Sequence, residues 1–445
     1  MKVLVLADDL SGAAETAAAF LRLPGRITIE LTRHEVERPR DTSEALQIFD
    51  TDSRTADEDT AVARLRSALR GSNKDPASGS AAPSVNNSEE PGSSRLIFKK
   101  VDSLLRGNIA AEVAQLSKLS DGFAIFAPAL PALGRTIIDG RPIVNDVPLR
   151  DTGLWRAEPT NPPDSVRDLF EPLAGRVVGP HVVPLSVVRS GHLLGELREL
   201  RNKGLVAICD AVNDDDLQRI AKSALTLPDP VVIGSAGLAT AVASELLAAD
   251  SSTTGPCSSA IFPSIDGSPR PYPLFLVGSA SIAALEQGEL LAREGVATVL
   301  VHAALLANSA GEGTREAWRK TLHDELLTGP VLVRLAIDGI APESARQFAR
   351  SLADLVAPVA MEHDLFLTGG ETARRVLDAM AVTELEPVHE VHHGAVLSLA
   401  QSAKLPGGVQ KIITRPGSFG EIDSLIRVLR AFTTAAPTIK EKTHS

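Results

Sequence analysis

Charged side chains follow three apolar runs in the first third of the chain. Asp8 and Asp9 come directly after Lys2–Ala7, a run typical of a buried parallel strand. The segment Lys99–Asn108 (KKVDSLLRGN) follows a second run, and Arg135 lies beyond a third. Because open α/β sheets bind ligands at the carboxyl ends of their strands, these side chains are candidates for one binding site.

Carboxylates beside several cations suit a small polyhydroxylated acid. Arginines such as Arg106 and Arg135 can bind a carboxylate through two parallel hydrogen bonds, and aspartates accept hydrogen bonds from hydroxyl groups. The pair Asp8 and Asp9 also contains the candidate general base, or the ligand of a metal-bound water. We predict that the first half of the chain binds such an acid.

The carboxylates have a structural interpretation as well. Asp9 could cap the helix that begins near Gly12. Asp102 or Ser103 could cap the helix that begins near Asn108. Both interpretations stay open from the sequence alone.

The cations also have alternatives. Lys99 and Lys100 alternate along a predicted strand, so one of them is expected to point to solvent. Arg106 and Arg135 could instead be partners in surface ion pairs.

A second pattern recurs mainly in the other half of the chain, where an apolar run ends in small residues and leads into a helix. The instances are LFLVGSAS (Leu274–Ser281), LFLTGGET (Leu365–Thr372), IITRPGSFG (Ile412–Gly420) and, more loosely, VVIGSAGLA (Val231–Ala239). Backbone N–H groups and the helix N-terminus bind phosphate at such turns. We predict nucleotide contacts at Gly278–Ser281, Gly369–Thr372 and Pro416–Gly420. The alternative is a set of tight corners without ligand, since neither GxxxxGK[ST] nor GxGxxG occurs.

Composition and charge argue against several classes of partner. The 445 residues are 44% hydrophobic and 23% charged, as in ordinary globular proteins. Only 3% are aromatic and the net charge is -11, which argues against nucleic acid and acidic membrane surfaces. Two distant cysteines and the lack of a long apolar segment predict a cytoplasmic protein. His389, His392 and His393 cluster without a carboxylate or cysteine at metal-ligand spacing, so no metal site is predicted.

Strands and helices alternate along the chain, which predicts two α/β domains with mostly parallel sheets. Residues 1–248 form the predicted first domain, with a disordered insertion at 71–94 that is rich in Ser, Pro and Gly. A linker at 249–273 leads to a second domain at 274–432, and the tail 433–445 is expected to fray.

These motifs together resemble the four-carbon acid sugar kinase family. The resemblance is carried by ADDLSGAAETA (Ala7–Ala17), KKVDSLLRGN (Lys99–Asn108), PALPALGRTIIDGRPIVNDVPL (Pro128–Leu149), GSAGLA (Gly234–Ala239), VGSAS (Val277–Ser281), LTGGETA (Leu367–Ala373) and RPGSFGEIDSL (Arg415–Leu425). They run in the family's order and cover nearly the whole chain.

The resemblance implies that the first domain binds a sugar acid, that the second binds ATP with Mg²⁺, and that the active site lies in an interdomain cleft. ATP would phosphorylate the terminal hydroxyl of threonate, erythronate or 3-oxo-tetronate. The sugar-acid contacts implied by motif match are Asp8, Asp9, Lys100, Asp102, Ser103, Arg106 and Arg135. The ATP contacts so implied are Ser279, Ser281, Gly369, Gly370, Glu371, Thr372 and Gly417. Asp9 is our candidate for the general base, and a homodimer is plausible for such enzymes.

Three positions depart from the family pattern. Ser11 replaces the usual Thr, Leu104 replaces the Thr of a DST motif, and Glu15 replaces the usual Asp or Gly. The loss of one hydroxyl at Leu104 bears on sugar preference more than on reaction type. Two other functions stay in view, namely a non-catalytic sensor of sugar acid and nucleotide, and a nicotinamide-dependent dehydrogenase of the same acids.

Overall fold

A computed structural model gives the structure of most of the chain. It describes residues 2–31, 46–71, 95–120, 123–156, 158, 160–173, 179–249, 272–278, 282–307, 310–336, 345–402, 405, 409–417 and 420–433. The predicted insertion, linker and tail fall almost entirely in 72–94, 250–271 and 434–445, outside the described residues.

The chain divides into two compact units. Unit one comprises Met1–Thr253 together with Thr383–Pro387, and unit two comprises Thr254–Val382 together with Val388–Ser445. The short return of the chain to unit one at Thr383–Pro387 is a feature that the sequence pattern does not predict.

Unit one is an α/β unit. Its strands are β1 (Lys2–Ala7), β2 (Thr28–Leu31), β3 (Leu46–Asp50), β4 (Arg95–Lys100), β5 (Ala124–Ala127), β6 (Arg135–Ile138), β7 (Arg141–Val144), β8 (Val147–Pro148), β9 (Pro180–Val183), β10 (Val206–Cys209) and β11 (Val231–Gly234). Its helices are α1 (Leu10–Phe20), α2 (Glu58–Gly71), α3 (Ile109–Ser117), α4 (Leu185–Val188), α5 (Leu193–Asn202), α6 (Asp214–Leu225) and α7 (Ala236–Ala249). Short 3₁₀ helices cover Lys118–Ser120, Pro131–Leu133, Leu149–Asp151 and Val166–Leu173.

The main sheet of unit one has the strand order β2-β3-β1-β4-β11-β5-β10-β9, with parallel pairing throughout. Its central strands are apolar and buried on both faces because helices cover both sides. The strand order reverses at β1, since β3 lies on one side of it and β4 on the other. Such a reversal opens a crevice at the carboxyl ends of the strands, where ligands bind in open α/β sheets.

A small antiparallel sheet, β6-β7-β8, stands apart from the main one. Asp139 and Gly140 form its first turn with φ values of 51° and 70°, as is typical of an Asp-Gly β-hairpin. The Asp210 carboxylate accepts hydrogen bonds from the backbone N–H groups of Asp139 at 2.7 Å and Gly140 at 2.8 Å. The hairpin that carries Arg135 is therefore anchored to the main sheet.

Unit two repeats the α/β pattern. Its strands are β12 (Leu274–Val277), β13 (Ala297–Val301), β14 (Val331–Leu335), β15 (Leu365–Thr368), β16 (Glu384–His392, whose first residues belong to unit one), β17 (Ala395–Gln401) and β18 (Val409–Arg415). Its helices are α8 (Ile282–Arg293), α9 (Ala303–Leu306), α10 (Glu312–Leu326), α11 (Ala345–Ala360), α12 (Gly370–Ala379) and α13 (Ser424–Thr433).

The sheet of unit two has the order β13-β14-β12-β15-β18-β17-β16. The first five strands in this order pair in parallel, whereas β17 is antiparallel to β18. The order reverses at β12, between β14 and β15. A core that includes Phe275, Phe366 and Ile413 packs beneath α8 and α13. Both units thus confirm the predicted α/β class with mostly parallel sheets. None of the described helices is long and apolar enough to cross a membrane.

Candidate active site

Three neighbouring strands of unit one bring their carboxyl ends together at β1. Pairing continues past the strands, because Thr51 N donates to Ala7 O at 2.9 Å and Ser53 N donates to Asp8 O at 2.9 Å. The loop after β3 therefore lies directly beside Asp8 and Asp9.

Arg54, on that loop, bridges both aspartates. Its Nε and Nη2 donate to the Asp8 carboxylate, each at 2.8 Å, and its Nη1 and Nη2 donate to the Asp9 carboxylate at 2.6 and 2.8 Å. Burial alone would lower the pKa of Arg54, but the two carboxylates raise it well above its usual value. One guanidinium thus holds two carboxylates side by side.

The two aspartates differ in exposure and acidity. Asp8 is 2% exposed, whereas the Asp9 side chain is 16% exposed. Burial would raise the pKa of Asp8, but Arg54, Lys99 and Lys100 bring it below its usual value. The pKa of Asp9 is raised, first by burial and also by the charge of Asp8. Asp9 is therefore the more basic and the more accessible of the pair.

Asp9 also caps α1. Its Oδ1 accepts a hydrogen bond from Gly12 N at 2.8 Å, which confirms the structural interpretation of this residue. Asp9 Oδ1 accepts two hydrogen bonds, from Gly12 N and Arg54 Nη2, whereas Oδ2 accepts one, from Arg54 Nη1. A carboxylate oxygen can accept two hydrogen bonds, so Oδ2 has room for a hydroxyl group.

The expectation that either Lys99 or Lys100 points to solvent is wrong. Lys99 is fully buried, and its Nζ lies 2.8 Å from Glu112 Oε1 on α3. Lys100 is 4% exposed on the opposite face, with Nζ 3.5 Å from Glu15 Oε2 on α1. Alternation holds, but helices cover both faces of β4, so neither face reaches water.

We expect Lys99→Met to lower the free energy of unfolding by about 3–5 kcal/mol, because it leaves the Glu112 carboxylate buried without its cation. Adding Glu112→Leu should restore most of the loss, since the buried pair is then replaced by apolar groups. Urea unfolding at pH 7 measures both variants. A double variant no more stable than Lys99→Met would contradict this account.

The segment after β4 provides the other predicted residues. Asp102 accepts from Arg106 Nε at 2.5 Å and from Nη2 at 3.1 Å, and Arg106 holds the pKa of this buried carboxyl well below its usual range despite burial. Ser103 Oγ accepts from Arg135 Nη1 at 2.6 Å. The structure thus brings Lys100, Asp102, Ser103, Arg106 and Arg135 to one edge of unit one.

Neither Asp102 nor Ser103 caps α3, so that alternative is wrong. The residue before the helix is Asn108, which makes no side-chain cap and donates instead to Ser53 O and Ala56 O at 2.8 and 2.9 Å. The surface ion-pair interpretation is also wrong for Arg106, whose partner Asp102 is buried.

Leu104, one of the positions that depart from the family pattern, points away from solvent. It is 5% exposed, and its carbonyl accepts from Trp155 Nε1 at 2.8 Å. The residue after it, Leu105, has φ of +64° and is fully buried. The loop is therefore held by backbone contacts and apolar packing at this position.

Unit two brings its predicted turns to one sheet edge. Gly278 follows β12, Gly369 follows β15, and these strands are direct neighbours in parallel register. Gly369 N donates to Arg415 O at 2.9 Å, so the turn that contains Gly417 begins beside it. Gly370, Glu371 and Thr372 form the first turn of α12, as predicted. Ser279 and Ser281 lie outside the described residues.

Two glycines at this edge have a structural reason. Gly369 has φ of +89°, a conformation that side chains rarely adopt. A Cβ on Gly278 would lie 2.3 Å from Thr372 Oγ1. The end of β12 can therefore approach the start of α12 only with glycine at position 278.

We expect Gly278→Ala to displace the start of α12 and to weaken nucleotide use by up to about 10²-fold, because small displacements of positioning groups have effects of that size. Steady-state kinetics with ATP measures it. Gly288→Ala, inside α8 with 3.1 Å to the nearest atom, is the matched control and should leave kinetics unchanged. Equal kinetics for the two variants would contradict the prediction.

The looser fourth turn has a packing role. A Cβ on Gly234 would lie 2.6 Å from Ala127 O, and Ser235 Oγ donates to Ala129 O at 2.5 Å. This turn packs the end of β11 against the neighbouring β5, as in the alternative of a tight corner without ligand.

One group of side chains in the described part of the chain could hold a metal ion, namely His323, Glu362 and His363. Its last two members precede β15, whereas the Gly369 turn follows that strand. Imidazole ligands suit zinc-like ions rather than Mg²⁺. We therefore do not assign a nucleotide-bound Mg²⁺ to this group.

Arg54 is a residue at this edge that is not among the candidates predicted from the sequence. The signal is the polar segment Thr51–Arg54 directly after an apolar strand, the same pattern that identifies Asp8 and Asp9. Its role depends on β3 being the neighbour of β1, which the sequence does not reveal.

Two family models match the chain, one in each half. Residues 3–242 match the family described as sugar-binding N-terminal domain, and residues 274–425 match the nucleotide-binding C-terminal domain. A D-threonate kinase of Cupriavidus necator is 33% identical over 97% of this chain and 98% of its own length. A D-erythronate kinase of Heliobacterium modesticaldum is 28% identical over 90% of this chain and 82% of its own length. A crystal structure from Salmonella typhimurium LT2 shares the fold, with a TM-score of 0.73 at 21% identity over 97% of this chain and 99% of that one.

Proposed function

The chain belongs to the four-carbon acid sugar kinase family, and from this membership we propose that it transfers the γ-phosphoryl group of ATP to the terminal hydroxyl of a four-carbon sugar acid. D-threonate is the first acid to test, because the 33% identical relative is a D-threonate kinase. Unit one would bind the acid, and unit two would bind ATP. The observation that carries the proposal is the aspartate pair and its neighbouring cations at the point where the strand order of unit one reverses.

The substrate carboxylate is assigned to the cations Lys100, Arg106 and Arg135. Burial lowers the pKa of Arg135, whose guanidinium donates to the uncharged hydroxyl of Ser103. A substrate carboxylate at Arg135 would supply the negative charge that favours the ionised guanidinium. Arg106 and Lys100, which have carboxylate neighbours in Asp102 and Glu15, would complete the positive surroundings.

Asp9 is assigned as the general base. Its raised pKa makes it a better proton acceptor than Asp8, and its Oδ2 atom has room for a hydroxyl hydrogen. Asp8 would stay ionised and hold Arg54 in place, since its pKa is lowered. In this assignment Asp9 Oδ2 accepts the proton of the terminal hydroxyl while the hydroxyl oxygen bonds to the γ-phosphorus. The bond from the γ-phosphorus to the β–γ bridging oxygen breaks, and ADP leaves.

The ATP phosphates are assigned to the turns of unit two at Gly278–Ser281, Gly369–Thr372 and Gly417. Mg²⁺ would arrive with ATP, held by phosphate oxygens and water, as is usual for this ion. The described residues offer it no cluster of carboxylates at these turns, so no step is assigned to a protein-bound Mg²⁺. Glu371 is the carboxylate on the turn, and it accepts from Arg375 Nε at 2.9 Å.

The test is ADP release with Mg·ATP and a panel of D-threonate, D-erythronate and 3-oxo-tetronate, each with a nicotinamide control. Phosphorylation of one acid supports the proposal. Reduction of a nicotinamide cofactor would instead identify the protein as a dehydrogenase. Thermal stabilisation by an acid and ATP without turnover would replace it by a sensor. Homodimer formation and a cytoplasmic location remain predictions, the first of which sedimentation can test.

A further inference from the structure

A buried arginine in unit two has only uncharged partners among the described residues. Arg415, the last residue of β18, is 1% exposed. Its Nη1 donates to Ser424 Oγ, its Nη2 donates to Gln287 Oε1 at 2.9 Å, and its guanidinium lies 5.5 Å from the centroid of the Phe366 ring. Burial lowers the pKa of Arg415 to about 10, so the guanidinium stays charged at pH 7.

The groups that contact Arg415 form further hydrogen bonds with neutral donors and acceptors. Gln287 Nε2 donates to the carbonyls of Gly420 and Glu421 at 2.8 and 3.0 Å, which fixes Oε1 toward Arg415. Ser424 Oγ lies 2.7 Å from His392 Nε2, and burial lowers the pKa of His392. A neutral imidazole can accept from Ser424 while Ser424 accepts from Arg415. The network therefore orients the guanidinium without neutralising it.

Two further polar atoms at this place have no hydrogen-bond partner within the described part of the chain. Arg415 Nε is buried and unpaired, and so is Oγ1 of Thr368. Thr368 is the register partner of Arg415 on β15, so the two side chains lie on the same face of the sheet. Both atoms can donate a hydrogen bond, and an anion accepts from such donors.

Arg415 lies at the sheet edge where the predicted phosphate turns after β15 and β18 begin. Its backbone carbonyl accepts from Gly369 N at 2.9 Å, and the next residues are Pro416 and Gly417. A Cβ on Gly420, at the far end of that turn, would lie 2.5 Å from Arg415 Nη1. Both ends of the turn that begins after β18 thus contact Arg415.

An uncompensated charge in the interior is costly, and an anion bound nearby would offset that cost. We propose that Arg415 is a positioning residue of the nucleotide site, whose charge is balanced by the phosphate groups of a nucleoside triphosphate bound on the adjoining turns. The inference rests on the proposed function and deepens it. A polyphosphate is the fitting ligand class because it carries several charges, and Coulomb attraction is strong where the dielectric constant is low.

The experiment compares three substitutions in the full-length protein: Arg415→Met and Arg415→Gln remove the charge, and Arg415→Lys keeps it. Thermal unfolding is measured without ligand and with inorganic tripolyphosphate, and KM for ATP is measured with the sugar acid. Arg374→Met is the matched control, because Arg374 is 3% exposed in the same unit but pairs with Asp378 at 3.1 Å.

We expect the two neutral variants to unfold at the wild-type temperature or above it, since an uncompensated charge is gone. They should lose at least half of the stabilisation by tripolyphosphate, and their KM for ATP should rise about 10- to 100-fold. Arg415→Lys should keep most of both properties. Arg374→Met should unfold at a lower temperature than the wild-type protein and keep the stabilisation by tripolyphosphate.

A neutral variant with wild-type response to tripolyphosphate overturns the inference, and so does a lysine variant as weak as the neutral ones. If Arg415→Met does not fold, the comparison of Arg415→Gln with Arg415→Lys decides in the same way. Failure of the proposed function looks different. In that case the wild-type protein turns over none of the acids, while the tripolyphosphate comparison still tests Arg415.

Discussion

Asp9→Asn is expected to lower turnover by about 10²–10⁴-fold, the range for loss of a general base. Asparagine can still cap α1, and it leaves Asp8 and Arg54 as a one-to-one ion pair. Folding raises the pKa of Asp9, so its contribution to stability is lost as pH rises through the folded pKa, and ionised Asp9 opposes folding at pH 7. The variant should therefore unfold at the wild-type temperature or slightly above it. Single-turnover phosphorylation and thermal unfolding measure the two effects.

Asp57→Asn is the matched control for this substitution. Asp57 is exposed, accepts from Thr60 N at 2.8 Å at the start of α2, and should tolerate the change without loss of turnover. If Asp9 is the base, wild-type turnover should also fall as pH drops through the raised pKa of Asp9. Full turnover by Asp9→Asn would remove Asp9 from this role.

Arg54→Gln is expected to lower the free energy of unfolding at pH 7 by about 3–5 kcal/mol. The substitution leaves the Asp8 carboxylate, which is 2% exposed, without its two short hydrogen bonds from the guanidinium. It also frees Asp9 to move away from the substrate hydroxyl, so turnover should fall as well. Urea unfolding and kinetics on the same preparation measure both.

The pH dependence gives this prediction its sign. In the wild-type protein the pKa of Asp8 is lowered, so its stabilising contribution is present above the unfolded pKa and lost as pH falls through the folded pKa. Without Arg54, burial would raise the pKa of Asp8, and acidification should then relieve the defect. The gap between variant and wild type should therefore be smaller at pH 5 than at pH 7.

Arg26→Gln is the control for Arg54. Arg26 also contacts two carboxylates, Glu384 and Glu386, at 2.9 and 3.0 Å, but its side chain is 46% exposed. Its loss should cost less than about 1 kcal/mol. A loss for Arg54→Gln no larger than for Arg26→Gln would contradict the role of Arg54 as the clamp of the aspartate pair.

The sequence predicts the strand ends of this fold better than their neighbours. Apolar runs identify β1, β4, β12 and β15, and the described residues that follow them lie at the carboxyl edges as expected, among them Asp8, Asp102, Gly278 and Thr372. These signals are local, because a buried parallel strand is apolar along its whole length.

Pairings between distant segments cannot be read in this way. Arg54 reaches Asp8 because β3 happens to lie beside β1, and Lys99 is neutralised by Glu112 from a helix that follows it. Arg415 is conspicuous only when its burial and the charge of each neighbour are known. Charge balance in the interior is a property of the packed structure, so residue spacing does not reveal it.

The return of the chain to unit one at Thr383–Pro387 has a consequence for synthesis. Glu384 and Leu385 pair with Glu30 and Ile29 on β2, which lies at an edge of that unit. During translation the edge of β2 remains without this partner until the ribosome has made more than a hundred further residues beyond Thr253. Unit one therefore emerges first but cannot complete its folding until these later residues are made. An unpaired strand edge is a place where nascent chains associate.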